Sequence, residues 1–259
     1  MSGTLPTLWH LDVSHYSEKA RWALAFKQVR HRRRAPVPGT HIPIALFLTR
    51  GTRITLPILQ MDGSTIDDST AIIAALEERY PEPPLYPADP EQRRRALELE
   101  DFFDEELGPH IRLLAFHELA RDPERYAAVM ERTAPGALAK VPAAAAAYGR
   151  VLTGLRFGVH DDQAAELARA KVLAALDRLE EELGSGEYLV GDGFTVADLT
   201  AASLFNPLVL PDGGPLPNDV PRPKGMDSFS APLEERRGFE WVSEMYERHR
   251  KPAKVAAAA

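Results

Sequence analysis

The chain of 259 residues contains no cysteine. It therefore forms no disulfide, offers no thiolate to a metal and has no thiol nucleophile of its own, so thiol chemistry here needs a thiol carried in by a ligand. A surplus of positive charge is also lacking, with 31 Lys and Arg against 38 Asp and Glu and a net charge of −7. That balance calls for neither nucleic acid nor an anionic membrane, and a small-molecule partner is expected. No stretch approaches the ~18 uninterrupted apolar residues of a membrane span. The opening MSGTLPTLWHLDV has neither the basic start nor the long apolar run of a secretory signal. A soluble, cytoplasmic protein is the expectation, and the length suits two domains, each with its own core.

Regular elements are legible from periodicity. LPTLWHLDV, residues 5–13, reads as a strand, and SEKARWALAFKQV, residues 17–29, as a helix with Ala20, Leu24 and Ala25 on one face. RRRAPV suggests a second strand, followed by an irregular connection. ITLPILQ and, after the turn MDGS, a short TI make two more strands, and residues 67–80 return to helical period. PEPPLYPADPE, residues 81–91, carries five prolines in eleven positions and sustains no regular element. This places a first, α/β domain at 1–82, a linker at 83–91 and an all-helical domain at 92–259. In the second half, residues 91–116 read as helical with Pro109 bending or ending the helix. Residues 163–183 show Leu173, Leu176, Leu179 and Leu183 at steps of three and four, and residues 238–249 form a last helix. The alanine run 143–147 favours helix without specifying a face. The proline-rich stretch 206–232 is expected to be a long surface loop. YLVGDGFTVADLTAASLF contains a capping box between Thr195 and Asp198, with Phe194 and Leu199 spaced as a hydrophobic staple.

Four features stand in a fixed order. Ser14 sits at a strand-to-helix turn in VSHYSEKARWAL, Leu56-Pro57 lies in ITLPIL, Asp68-Ser69 opens a helix in TIDDSTAII, and a capped apolar helix follows the linker. Each has a plain reading: a helix cap for Ser14, a proline at a strand start, and a capping cluster for Asp67 to Thr70. Ser17 is as well placed to cap as Ser14.

Taken together these features resemble the cytosolic glutathione S-transferases. The resemblance implies a thioredoxin-like N-terminal domain followed by an all-helical one, and it covers essentially the whole chain. It implies that Leu56-Pro57 is a cis peptide whose neighbouring backbone pairs with the cysteinyl unit of glutathione as a short strand would. It further implies that Asp68 meets the ligand's α-ammonium, while Ser69 and the first amides of the helix hold its α-carboxylate. SHYSEKARWAL fits the serine-type pattern S-P-[FY]-S-x-[KR]-[VA]-R-x-A-L except at His15, which stands for proline. Ser14 aligns with the thiol-activating residue, and Ser17 is the alternative. Tyrosine-type members keep a tyrosine where this chain has His10, and the cysteine-built, disulfide-exchanging branch is excluded.

The resemblance implies glutathione as cosubstrate, a small electrophile as second substrate, no metal, and a homodimer. Apolar helical surface around Phe102 and Phe103 is a candidate for the dimer contact. His41 and Arg53 are candidates for the ligand's glycine carboxylate, and positions near Phe103, Ile111 and Phe116 for the acceptor pocket. Outside these, His15 reads as a solvated turn residue, His31 to Arg34 as a solvated edge, and His160-Asp161-Asp162 as a helix start. The reading is a glutathione transferase. A glutathione-dependent isomerase or dehalogenase, a transferase-like binding or assembly module, and a cellular thiol other than glutathione are the alternatives.

Overall fold

The computed structural model describes residues 4–133, 154, 159–216 and 222–256; the alanine run 143–147 lies outside them. Four short strands form one mixed sheet in the order β2-β1-β3-β4. β1 (Thr7–Trp9) pairs parallel with β2 (Arg32–Arg34) and antiparallel with β3 (Ile58–Met61), which pairs antiparallel with β4 (Ser64–Asp67). Between β1 and β2 runs α1 (His15–Phe26), which starts two residues earlier than its periodicity predicts because Ser14 caps it. It ends three residues earlier than predicted, and Gln28 beyond it takes a left-handed φ of 53°. α3 (Ser69–Arg79) follows β4.

The connection before β3 is not irregular: it holds α2 (His41–Leu48). HIPIALFL hides this helix because it is apolar on all sides, and its proline occupies the first turn, where no intrahelical amide is required. The price in exposure falls on Phe47, 83% accessible.

Residues 81–89 carry no helix or strand, and α4 (Pro90–Phe102), capped by Asp89, starts at the last proline of the stretch, two residues before the expected helical domain. The regular α-helix ends ahead of Pro109. Phe103–Leu107 forms a π-helical turn, and α5 (Gly108–Arg121) continues with Pro109 at its start. α6 (Pro123–Thr133), α7 (Asp162–Leu183), α8 (Val196–Val209), α9 (Lys224–Ser230), a 3₁₀ turn (Ala231–Leu233) and α10 (Arg237–His249) follow. Asp161 caps α7, as expected of that cluster. The expected surface loop at 206–232 is corrected. α8 runs on through Asn206 and Pro207, and α9 and the 3₁₀ turn occupy 224–233. Burial overrides the proline, since Leu204, Phe205 and Leu208 are fully enclosed.

One core runs through both halves instead of a core in each. Leu8, Trp22, Leu24 and Ile72 belong to the same cluster as Leu199, Phe205, Trp241 and Tyr246. Trp22 sits 4.4 Å from the Tyr246 ring and donates its indole N–H to the His249 carbonyl (3.2 Å). Phe103 is likewise wholly buried in this core, so it is not spare apolar surface; Phe102 packs edge-on against it. Among the described residues no helix is long and apolar enough to cross a membrane.

Candidate functional site

Sheet register gathers the site. Trp9 stands opposite Ile58, and Ile58 opposite Asp67. The end of β1, the start of β3 and the end of β4 therefore share one end of the sheet. The 10–14 turn, Leu56-Pro57 and Asp68-Ser69, distant in sequence, are carried to that end together. The N-termini of α1 and α3 open there too, which gives the edge two sets of helix-end amides and a favourable field for anions.

The Leu56-Pro57 bond is cis, and Leu56 makes no backbone hydrogen bond within the described residues. A peptide-like edge is thus presented without a partner strand. Ser14 is partly exposed and takes the N-cap, its Oγ accepting from the Ser17 amide (3.2 Å). This uses a lone pair and leaves the hydroxyl proton uncommitted. Ser17 is fully buried, and its Oγ accepts from the Leu11 amide (3.2 Å).

Asp68 is exposed and held at φ 82°, an uncommon conformation for a residue other than glycine. Its Oδ1 caps α3 by accepting from Thr70 N (2.9 Å) and Ala71 N (3.4 Å), and Oδ2 has no hydrogen-bond partner among the described residues. The cap engages the amides of Thr70 and Ala71 and leaves that of Ser69, a residue 3% exposed. Arg53 is exposed at the same edge with Nε on Asp67 Oδ2 (2.8 Å). His41 is buried, with Nδ1 accepting from the Gly39 amide (2.9 Å).

His15 is not solvated. It is 4% exposed, with Nε2 3.0 Å from the Gly108 carbonyl. Burial, then the nearby charge of Arg112, pushes its pKa down to about 3, so the ring is neutral and does not serve as an acid near neutral pH. His10 is also neutral, lowered to about 3 by burial and then Arg21, with Nδ1 3.0 Å from Arg21 Nη1. The 31–34 edge is likewise less solvated than expected, since His31 is fully buried and Arg32 and Arg33 partly so.

Sequence reasoning missed a cluster that joins this edge to the helical half. Lys19, fully buried on α1, reaches Thr70 Oγ1 (2.8 Å) on α3, Glu100 Oε1 (3.0 Å) on α4 and Asp104 Oδ1 (2.6 Å) in the π turn. Tyr16 donates its hydroxyl to the Asp104 carbonyl (2.7 Å). The Arg112 guanidinium lies 5.6 Å from the Tyr16 ring centre. Gly108 permits this, since a Cβ there would overlap the Tyr16 hydroxyl. Of the positions expected near an acceptor, Phe103 and Ile111 are wholly buried, and Phe116 packs on Leu119 and Tyr126. A cavity of about 450 Å³ between Glu118–Glu124 and Lys224–Gly225 lies at the opposite end of α5 from Gly108, ~15 Å along the helix. Among the described residues no group of three or more His, Cys, Asp or Glu is placed to hold a metal.

The profile of the glutathione S-transferase N-terminal domain matches residues 8–84, and that of the C-terminal domain residues 162–222. Solved structures share the fold. A glutathione S-transferase of Methylobacterium radiotolerans JCM 2831, in complex with glutathione sulfonate, has 22% identity and a TM-score of 0.55 over 99% of this chain and 100% of its own. The beta-etherase LigF of Sphingobium sp. strain SYK-6 has 21% identity and 0.59 over 93% and 99%. The theta class enzyme of Xanthomonas axonopodis pv. citri, with glutathione bound, has 20% identity and 0.58 over 96% and 98%. No curated protein matches the chain.

Proposed function

Because this chain belongs to the cytosolic glutathione S-transferase family, we propose that it is a glutathione transferase that activates the thiol of glutathione at the β1–α1 turn and joins it to a small electrophile. The observation that carries this reading is the Ser14 hydroxyl. It is capped into place by the Ser17 amide, retains a proton to donate, and stands at the sheet end shared by Leu56 and Asp68.

The chemistry follows from what is missing. With no cysteine of its own, the protein takes its nucleophile from the ligand. A free thiol with a pKa of ~8.5 is only a few per cent ionised at neutral pH. A hydroxyl hydrogen bond to the thiolate contributes ~1.5–3 kcal/mol and the start of α1 a further ~0.3–1, together lowering that pKa by ~1–3 units. The Leu56 backbone and Pro57 would pair with the cysteinyl unit. Asp68 Oδ2 would take the α-ammonium, the Ser69 hydroxyl and amide the α-carboxylate, and the exposed guanidinium of Arg53 the glycine carboxylate. Thiolate sulfur then attacks the electrophilic carbon of the acceptor, the new S–C bond forms, and the leaving group departs with the electron pair of the broken bond. The same thiolate serves an isomerase, a dehalogenase or an ether-cleaving enzyme, so the acceptor distinguishes these reactions and the activated thiol does not.

Calorimetric titration with glutathione and with other low-molecular-weight thiols tests this reading, paired with the ultraviolet absorbance of bound thiolate against pH. Binding with a depressed thiol pKa is expected. A protein that binds no such thiol is a binding or assembly module instead. We read the molecule further as a cytoplasmic homodimer, the first half of one subunit against the second half of its mate. Light scattering at micromolar concentration should give twice the chain mass, and a monomer would remove that reading.

A further inference from the structure

The turn that carries Ser14 is held from behind by buried charged groups that lead to the C-terminal segment. Arg21, 4% exposed on α1, donates through Nη1 to the Leu11 carbonyl (3.0 Å) and through Nη2 to the Asp12 carbonyl (2.9 Å), with a longer bond to the Ser14 carbonyl (3.5 Å). One guanidinium thus ties together the backbone of residues 11–14. Its Nε donates to Glu18 Oε2 (2.7 Å), and the other oxygen of Glu18 accepts from Arg250 Nε (2.5 Å). Glu18 is 1% exposed; burial raises its pKa, yet Arg21 and Arg250 hold it below the ordinary carboxylate range.

Arg250 follows α10 directly and opens a segment that runs alongside the sheet edge. There the His31 amide donates to the Lys254 carbonyl (3.1 Å) and the Ala256 amide to the His31 carbonyl (2.8 Å). Arg250 is therefore anchored on both sides, by α10 and by this pairing. Around Glu18 and its two arginines stand Arg33 from β2 and Tyr246 from α10 beside Glu18, His10 beside Arg21, Asp12 beside Arg33, and His31 beside Arg250.

We propose that the C-terminal segment 250–256 is part of the thiol-activating apparatus, with Arg250 a positioning residue that acts through Glu18 and Arg21 on the turn presenting Ser14. This rests on the thiol-activation reading above. Glu18 is shared between two guanidiniums, and removal of Arg250 leaves its carboxylate to pull on Arg21 alone and loosens the grip on the 11–14 carbonyls. The Ser14 hydroxyl then loses alignment with the sulfur, and a misplacement of ~1 Å is enough to cost most of an oriented interaction. Among the described residues no hydrogen-bond partner of the Arg250, Glu18 or Arg21 side chains lies on β3, β4 or α3, which would hold the rest of the ligand. Activation and binding should therefore separate.

The test uses the full-length protein. Bound-thiolate absorbance is followed against pH in the wild type, Arg250→Met, Arg250→Lys and Glu18→Gln, with glutathione affinity measured below the titration midpoint and thermal unfolding recorded for each. In Arg250→Met the midpoint should rise by ~0.5–1 pH unit, a three- to tenfold loss of thiolate where most of the thiol is protonated. Affinity below the midpoint should stay within about twofold, as expected when ground-state binding is untouched. Arg250→Lys, which keeps the charge, should recover part of the shift, and Glu18→Gln should reproduce it should Arg250→Met not fold. A wild type with a depressed midpoint that neither Arg250→Met nor Glu18→Gln moves would overturn the proposal while leaving thiol activation intact. Affinity falling in step with the midpoint would also overturn it, as a general structural role. A wild type whose bound thiol has an ordinary midpoint would remove both readings.

Discussion

The Ser14 hydroxyl has two jobs that different measurements separate. As a cap it stabilises α1 by ~1 kcal/mol, and as a donor it stabilises a thiolate. Ser14→Ala should therefore lower stability by that modest amount and also raise the midpoint of the bound-thiolate titration by ~1–2 pH units. Ser17→Ala is the matched control. Its hydroxyl is buried against the Leu11 amide, so it should lose stability with the midpoint nearly unmoved. Asp68 likewise caps a helix and is exposed at the same sheet end. Asp68→Ala should weaken glutathione binding by ~2–4 kcal/mol in calorimetry, because a ligand ammonium would be left without its carboxylate. Unchanged affinity would place the ligand's α-amino end elsewhere.

At the scale of the element, α8 shows how strongly one helix start is specified. Asp198 accepts from the Thr195 amide (2.8 Å) and the Leu189 amide (2.8 Å), while Thr195 Oγ1 accepts from the Ala197 amide (3.2 Å). Burial nevertheless pushes the Asp198 carboxyl up to about 6, and these hydrogen bonds only partly oppose it. A carboxyl raised above its unfolded value keeps its proton longer in the native state. Stability from this group is therefore full below pH ~4 and is lost as pH rises through about 6. Relative to Asp198→Asn, which does not titrate, the wild type should lose on the order of 2–3 kcal/mol of unfolding free energy between those limits. Urea unfolding at a series of pH values checks this, and parallel pH profiles for the two proteins would refute it.

Across the whole molecule, Lys19 ties the sheet half to the helical half. Its ammonium is fully buried and pairs with two carboxylates, Glu100, 2% exposed, and Asp104, 14% exposed. A buried pair is weak evidence for net stability, but breaking one leaves an uncompensated charge. Lys19→Met should cost ~3–5 kcal/mol in chemical unfolding, and Glu100→Gln in that background should recover part of the loss. Because α1 and α8 share one core, the unfolding should stay a single transition. Two separated transitions would mean that the halves hold together less than this core implies.

The sequence alone determined what depends on short-range pattern. The helix of residues 162–183, the capping box at Thr195 and Asp198, the two strands around MDGS and the order of Ser14, Leu56-Pro57 and Asp68-Ser69 are all local statements about periodicity, caps and turns. Composition likewise decided that any nucleophilic thiol comes from a ligand. Tertiary structure decided what depends on burial. His15, an ordinary turn residue in sequence, became a neutral buried ring because the Gly108 carbonyl and Arg112 close over it from 93 or more residues away. Phe103 was claimed by the core, and α2 and the end of α8 became helical where their residues show no alternation to announce it. Lys19 and Arg250 each carry a charge that sequence assigns to solvent. Only the packing of distant elements brings carboxylates to them, because desolvation and pairing are properties of the assembled interior and leave no trace in local spacing.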